Sequence, residues 1–282
     1  DMFRYLMDNA IASKDALHLS VGVSLSAEQV AALTHDIVWM ETVVVNGEEV
    51  LVPVLYLAQA KNRLAANGAL IMGKDVNLIA GKDLGNAGTL KASENLAALA
   101  SNNLFNSGLV QAGNRLDLLA GNDLSNKAGG IIAGRDVSLT STGGDLLNER
   151  SVTGFDSSNG FNSQHRDFLD NAARIEAAND LSLQAGRDFS NIGGVLQSGR
   201  DTRISAGRDV TLGSATASDS NRHGSHNRDQ SISQNGSSLD AGRDVTISAG
   251  RDLTLIASEV SAKRDLALTA TRDLTVASAA DE

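Results

Sequence analysis

Near-identical short segments return along the chain at a nearly fixed interval. Gly73-Lys-Asp-Val-Asn-Leu-Ile-Ala80 reappears as Gly134-Arg-Asp-Val-Ser-Leu-Thr-Ser141 and as Gly242-Arg-Asp-Val-Thr-Ile-Ser-Ala249. Asp75 to Asn95 and Asn95 to Arg115 are steps of 20 residues, and Arg115 to Asp136, Asp180 to Asp201 and Asp244 to Asp265 are steps of 21. A second copy of the motif follows eight residues after the first, as in Asp75 to Asp83 and Asp244 to Asp252. A repeat this short cannot close a core by itself, so its copies must stack.

Inside each repeat the apolar residues alternate with period two, the signature of a strand with one buried face. One column runs Val76, Leu96, Leu116, Val137, Leu181, Thr202, Val245, Leu266. Further columns run from Leu78 to Leu268 and from Ala80 to Ala270. A second strand carries Leu84, Leu104, Leu124, Leu146, Phe189, Val210, Leu253 and Leu274, and a third carries Leu90, Val110, Ile131, Ile175, Leu196, Leu239 and Val260. Three strands in about 20 residues predict an all-β fold, a right-handed parallel β-helix of about eight coils stacked at about 4.8 Å.

The corners carry their own chemistry. Gly followed by Lys or Arg and Asp suits a tight turn, with the Asp accepting backbone N–H groups. A second corner places Asn86, Asn106, Asn126 and Asn191 where their amides can stack in a ladder. A calcium column of Asp is the alternative, but the Gly- and Asp-dense nonapeptide of calcium β-helices is missing from the sequence.

Composition agrees. Only 3% of residues are aromatic, there is one Pro, and there is no Cys. Proline cannot donate to a strand ladder, and without Cys neither disulfides nor thiolate metal sites arise. With 34 acidic and 24 basic residues the net charge is −10, which argues against nucleic acid as a partner.

The repeat is interrupted at 149–174 and at 213–238, each time between the second and third strands of a coil. Both insertions are expected to leave one edge of the rod, two coils apart and close enough to touch. Phe155, Phe161 and Phe168 make the first the candidate partner-contact loop, because aromatic side chains supply much contact energy. The second is rich in Ser, Asn, His and Gly and reads as a polar loop, with disorder or a solvated tether as the alternative.

Residues 1–58 lie outside the repeat and read as a small N-terminal α/β cap. A helix is expected over Asp1–Ala10, a capping box at Ser26–Gln29, and a β-hairpin around Asn46-Gly47. This segment is expected to cover the open end of the β-helix, which spans 59–282. Trp39 reads as packing of the cap onto the rod.

No catalytic residue, cofactor or metal is assigned. Gly68–Asp75 nearly spells a phosphate-binding loop but has Asp75 where Ser or Thr should bind magnesium. His223 and His226 lack an evident third metal ligand, and His35 beside Asp36 lacks a nucleophile.

The Gly-Arg-Asp-Val/Leu-Thr-Leu-x-Ala repeats with Asn-x-Gly corners resemble the haemagglutinin repeats of filamentous-haemagglutinin-like exoproteins exported by two-partner secretion. Leu25–Trp39 together with Val50–Tyr56 looks like the segment before the second repeat region of contact-dependent growth inhibition effectors, the CdiA proteins. The resemblance implies a fragment of a larger secreted protein at the bacterial surface, held before target contact in the periplasm. Its implied partners are the target-cell outer membrane or its proteins, together with neighbouring repeats and a C-terminal toxin of the same chain. It implies a role in carrying the toxin across that membrane. A passive spacer or adhesive shaft is the second reading, and an enzymatic one the third.

Overall fold

The structure is a computed structural model and describes residues 7–8, 10–14, 17–23, 37–45, 48–56, 69–159, 162–223 and 227–278. The chain forms two compact units, 1–70 and 71–282. The expected boundary at 58 falls outside the described residues, as do the capping box and His35-Asp36.

In the first unit residues 7–8 and 10–14 are helical, while residues 1–6 and 9 of the helix expected over Asp1–Ala10 lie outside the described residues. Strands Ile37–Val45 and Glu48–Tyr56 pair antiparallel, with Val45 opposite Glu48, so the expected hairpin forms and extends back to include Trp39. Ala10, Leu19, Ile37 and Trp39 make a small core. The Trp39 indole N–H donates to the Ser20 carbonyl at 3.1 Å. Trp39 thus packs inside its own unit, where the indole finds both apolar cover and an acceptor.

The second unit is a parallel β-solenoid. Three sheets of eight strands run along it, one strand of each per coil. Sheet I holds the strands from Val76–Ala80 to Leu266–Ala270, sheet II those from Leu84–Asn86 to Leu274–Ala277, and sheet III those from Leu70–Gly73 to Ser258–Ala262. In sheet I, Leu116 lies beside Leu96 and Val137, and Leu118 beside Ala98 and Leu139. The burial of Arg115–Ala120 alternates residue by residue, with Leu116, Leu118 and Ala120 inside. Each coil therefore lays its apolar residues on those above and below, and the core is one continuous apolar column, aliphatic except at Phe189. Phe189 is fully buried in a position that is Leu in the coils before it.

One column needs correction. In sheet III the inward residue is Ile132, which pairs with Val110 and Ile175; Ile131 pairs with Leu109 and Arg174. The preceding corner is two residues longer than its neighbour, since Asn126 to Ile131 replaces Asn106 to Leu109. Ala128 and Gly129 absorb the excess with φ of 51° and 73°. That left-handed turn suits Gly.

The Asn corner forms a buried ladder, and Asn148 joins it. Asn86 donates to Asn106 at 2.7 Å, Asn106 to Asn126 at 2.8 Å, Asn126 to Asn148 at 2.9 Å and Asn148 to Asn191 at 2.8 Å. Each amide also reaches a carbonyl at the turn, as Asn126 reaches Gly130 at 2.9 Å. These buried polar groups are thereby satisfied.

The Asp corners are fixed from the next coil. Asp188 accepts the Asp209 N–H at 3.1 Å and both arms of Arg208, at 3.0 and 2.5 Å. Asp145 takes Arg187 in the same way, and Asp209, Asp244 and Asp252 take Arg251, Arg264 and Arg272. In the early coils Asn stands where the later coils have Arg: Asn102 donates to Asp83 at 2.8 Å and Asn114 to Asn95 at 2.9 Å. The carboxylates are thus taken up by turn and inter-coil bonds. Among the described residues no group of three or more His, Asp or Glu side chains is arranged so that it could hold a metal ion.

Candidate functional site: a hairpin sheet on the solenoid

Both interruptions are β-hairpins. Val152–Asn159 pairs with Asn162–Leu169, and Ala215–His223 pairs with Asn227–Asn235, all antiparallel. The two hairpins then pair with each other, Asn162 opposite His223 through Arg166 opposite Asp219. The result is one four-stranded sheet in the order Val152–Asn159, Asn162–Leu169, Ala215–His223, Asn227–Asn235. The expected contact between the insertions is present. The polar loop or disordered tether expected for the second is replaced by a regular hairpin.

The spacing explains why they meet. The first hairpin leaves after sheet II strand Leu146–Glu149 and the second after Val210–Gly213, two strands further along that sheet. Two coils rise about 10 Å, and a hairpin two strands wide spans about 10 Å. Hairpins on alternate coils therefore tile edge to edge.

The intervening coil turns a short corner between their roots. The Arg150 N–H donates to the Ile192 carbonyl at 2.9 Å, and the Arg150 guanidinium donates to the carbonyls of Gly193 at 3.2 Å and Asp170 at 3.0 Å. The Gly193 N–H donates to Gly213 at 2.8 Å. Gly193 has φ of 58°, and a Cβ there would stand 2.7 Å from that of Ala215. Only glycine fits between the two roots.

Register partners on an antiparallel sheet share a face. Phe155 faces with Arg166, Phe168 with Thr153, and Arg166 with Asp219. Phe155 and Phe168 are therefore diagonal neighbours on one face, and they are 57% and 52% exposed. Arg166 approaches Asp219 at 3.7 Å on that face. Phe161 lies outside the described residues, as does His226, while Leu70–Gly73 of the near-phosphate-loop is a strand.

The opposite face carries an ionisable cluster that the sequence reading missed. His165 Nδ1 lies 2.7 Å from an Asp156 oxygen, and Nε2 lies 3.0 Å from an Asp167 oxygen. The second Asp167 oxygen accepts the Ser218 N–H at 2.9 Å and the Ser218 hydroxyl at 3.0 Å, across the junction between hairpins. The Asp167 N–H donates to Asp219 at 3.2 Å. The bond to Asp156 raises the His165 pKa above its ordinary value, and the Ser218 bonds lower that of Asp167. A sequence signal for the first hairpin existed in Asn159-Gly160, a favoured turn pair; the side-chain cluster depends on a register that no local pattern specifies.

The family described as haemagglutinin repeat matches residues 56–118, 97–149 and 164–227, and a second family of the same description matches 218–282. The chain is 44% identical over 200 residues to a protein of Dickeya dadantii (strain 3937) named deoxyribonuclease CdiA, an alignment covering 69% of this chain and 6% of that protein. It is 32% identical over 222 residues to toxin CdiA of Escherichia coli, and 31% identical over 238 residues to toxin CdiA of Yersinia pestis; these cover 78% and 77% of this chain. The chain spans 6–7% of the length of these relatives. No solved structure matches it. Stacked 20- to 21-residue coils, Asn and Asp corners and these matches together place the chain in the haemagglutinin repeat family, as a repeat segment of the kind found in CdiA contact-dependent growth inhibition proteins.

Proposed function

We propose that this segment is a non-catalytic shaft of a contact-dependent growth inhibition protein at the bacterial surface, and that its hairpin sheet contacts the target cell's outer membrane or a protein in it while the toxin passes. The observation that carries this is the pair of half-exposed phenylalanines, Phe155 and Phe168, on one face of a sheet built from two separate insertions. A plain spacer would need neither the insertions nor apolar side chains at their surface. The nuclease and toxin names belong to relatives of which this chain covers a small part, so they do not make it an enzyme.

The test is Phe155→Ser with Phe168→Ser in a full-length effector. Toxin delivery should fall while receptor binding and surface display stay intact. Undiminished delivery would favour the second reading, the passive shaft of a filamentous-haemagglutinin-type adhesin, which the uniform stacking of sheets I to III supports.

A further inference from the structure

His165 stands between two carboxylates with both ring nitrogens engaged, Nδ1 on Asp156 and Nε2 on Asp167. A neutral imidazole has one N–H and would turn its other nitrogen, an acceptor, toward a carboxylate; only the imidazolium has two donors. The strand that pairs on one side contributes Asp156, and His165's own strand contributes Asp167. The strand on the other side contributes Ser218 and Ser220 on the same face, Arg222 as register partner of Ser163, and Asp219 on the opposite face, paired with Arg166. On the outermost strand Asp229, register partner of Asn221, lies on the opposite face with Asp219, and the register partner of Ser220 is Gln230.

The backbone ladder between the hairpins runs only as far as Arg166 and Asp219. Beyond that point the Asp167 carboxylate takes the place of a strand carbonyl, receiving the Ser218 N–H and hydroxyl. The orientation of Asp167 depends in turn on His165 holding its other oxygen.

We infer that His165, Asp167 and Ser218 form a proton-operated clasp that holds the two hairpins in one sheet in mildly acidic and near-neutral solution and loosens their junction in alkaline solution. Loss of the proton leaves Asp156 and Asp167 facing one another across a ring that can donate to only one of them. Because the histidine pKa is raised in the folded chain, the contribution is complete below the ordinary histidine range and is lost as pH rises through the raised value. The inference rests on the reading of this sheet as the contact surface. Its test uses the chain alone, so that failure of either leaves the other standing.

The experiment is NMR on the intact 282-residue chain: titration of the His165 ring, and hydrogen-exchange protection of the Ser218 amide, corrected for the intrinsic rate. Between about pH 6 and about pH 9, which bracket the histidine range, Ser218 protection should drop about tenfold, the effect of roughly one net hydrogen bond. His165→Gln should give low protection at both pH values, and His165→Arg, a permanent cation with several donors, high protection at both. Amides of sheet I should not change, which separates loosening of the junction from unfolding. A Ser218 amide indifferent to pH, or a His165 that titrates at or below the ordinary histidine value, would overturn the clasp.

Discussion

Arg243 grips Asp201 with both arms of its guanidinium, Nε to Oδ1 at 2.6 Å and Nη2 to Oδ2, although the two stand 42 residues apart in sequence. They are one coil apart in space, because Thr202 and Val245 are register neighbours and the second hairpin fills the difference. The Asp201 side chain is buried, and the Arg243 bond holds its carboxyl down at about 2. Arg251 does the same for Asp209, also at about 2.

Acid should therefore weaken the later coils. A carboxylate depressed in the folded state contributes stability above its unfolded pKa of about 4 and loses it as pH falls from there through the folded value. Denaturant midpoints should hold from neutral pH to about 4 and decline below it. Arg243→Gln with Arg251→Gln should lower the midpoint at neutral pH and flatten that decline.

The corrected register of sheet III is open to substitution. Ile132→Ala should cost about 2–5 kcal/mol, because Ile132 is fully buried between Val110 and Ile175. Ile131→Ala, at a partly exposed position, should cost well under half of that. Equal losses in urea melts would restore Ile131 to the core.

The Asn ladder should respond by position. Asn126→Leu strips partners from Asn106 and Asn148 in the middle of the stack and should cost about 2 kcal/mol or more. Asn191→Leu removes the last rung, and its neighbour on the next coil is already Leu212. It should cost less, and thermal melts of the two variants give the comparison.

Much of this architecture is legible in the sequence, for a physical reason. Leu116 and Leu118 announce their strand because alternation is strict where one face is buried, and the constant step sets which residues stack. Ile131 misleads because spacing alone cannot tell which of Lys127, Ala128 and Gly129 is looped out; the positive φ of Ala128 and Gly129 decides it. The hairpin at 215–235 is hidden because Ser, Asn and Asp fill both its faces, and its partner is another insertion rather than the core. His165 and Ser218 are 53 positions apart, and only the pairing of the hairpins brings them together.

The central claim is that the two insertions form a single sheet, and the absence of native Cys makes it directly testable. Gln164 and Asn221 are register partners on the strands where the hairpins meet. Cβ atoms of such partners stand about 4.5–5.5 Å apart, near enough for a disulfide. In the chain carrying Gln164→Cys and Asn221→Cys, mild oxidation should form that disulfide rapidly and within one molecule. A control with Gln164→Cys and Gln230→Cys, one strand further out, should stay reduced under the same conditions. Failure of the 164–221 pair to close, or equal closure of both pairs, would mean that the hairpins do not share a sheet.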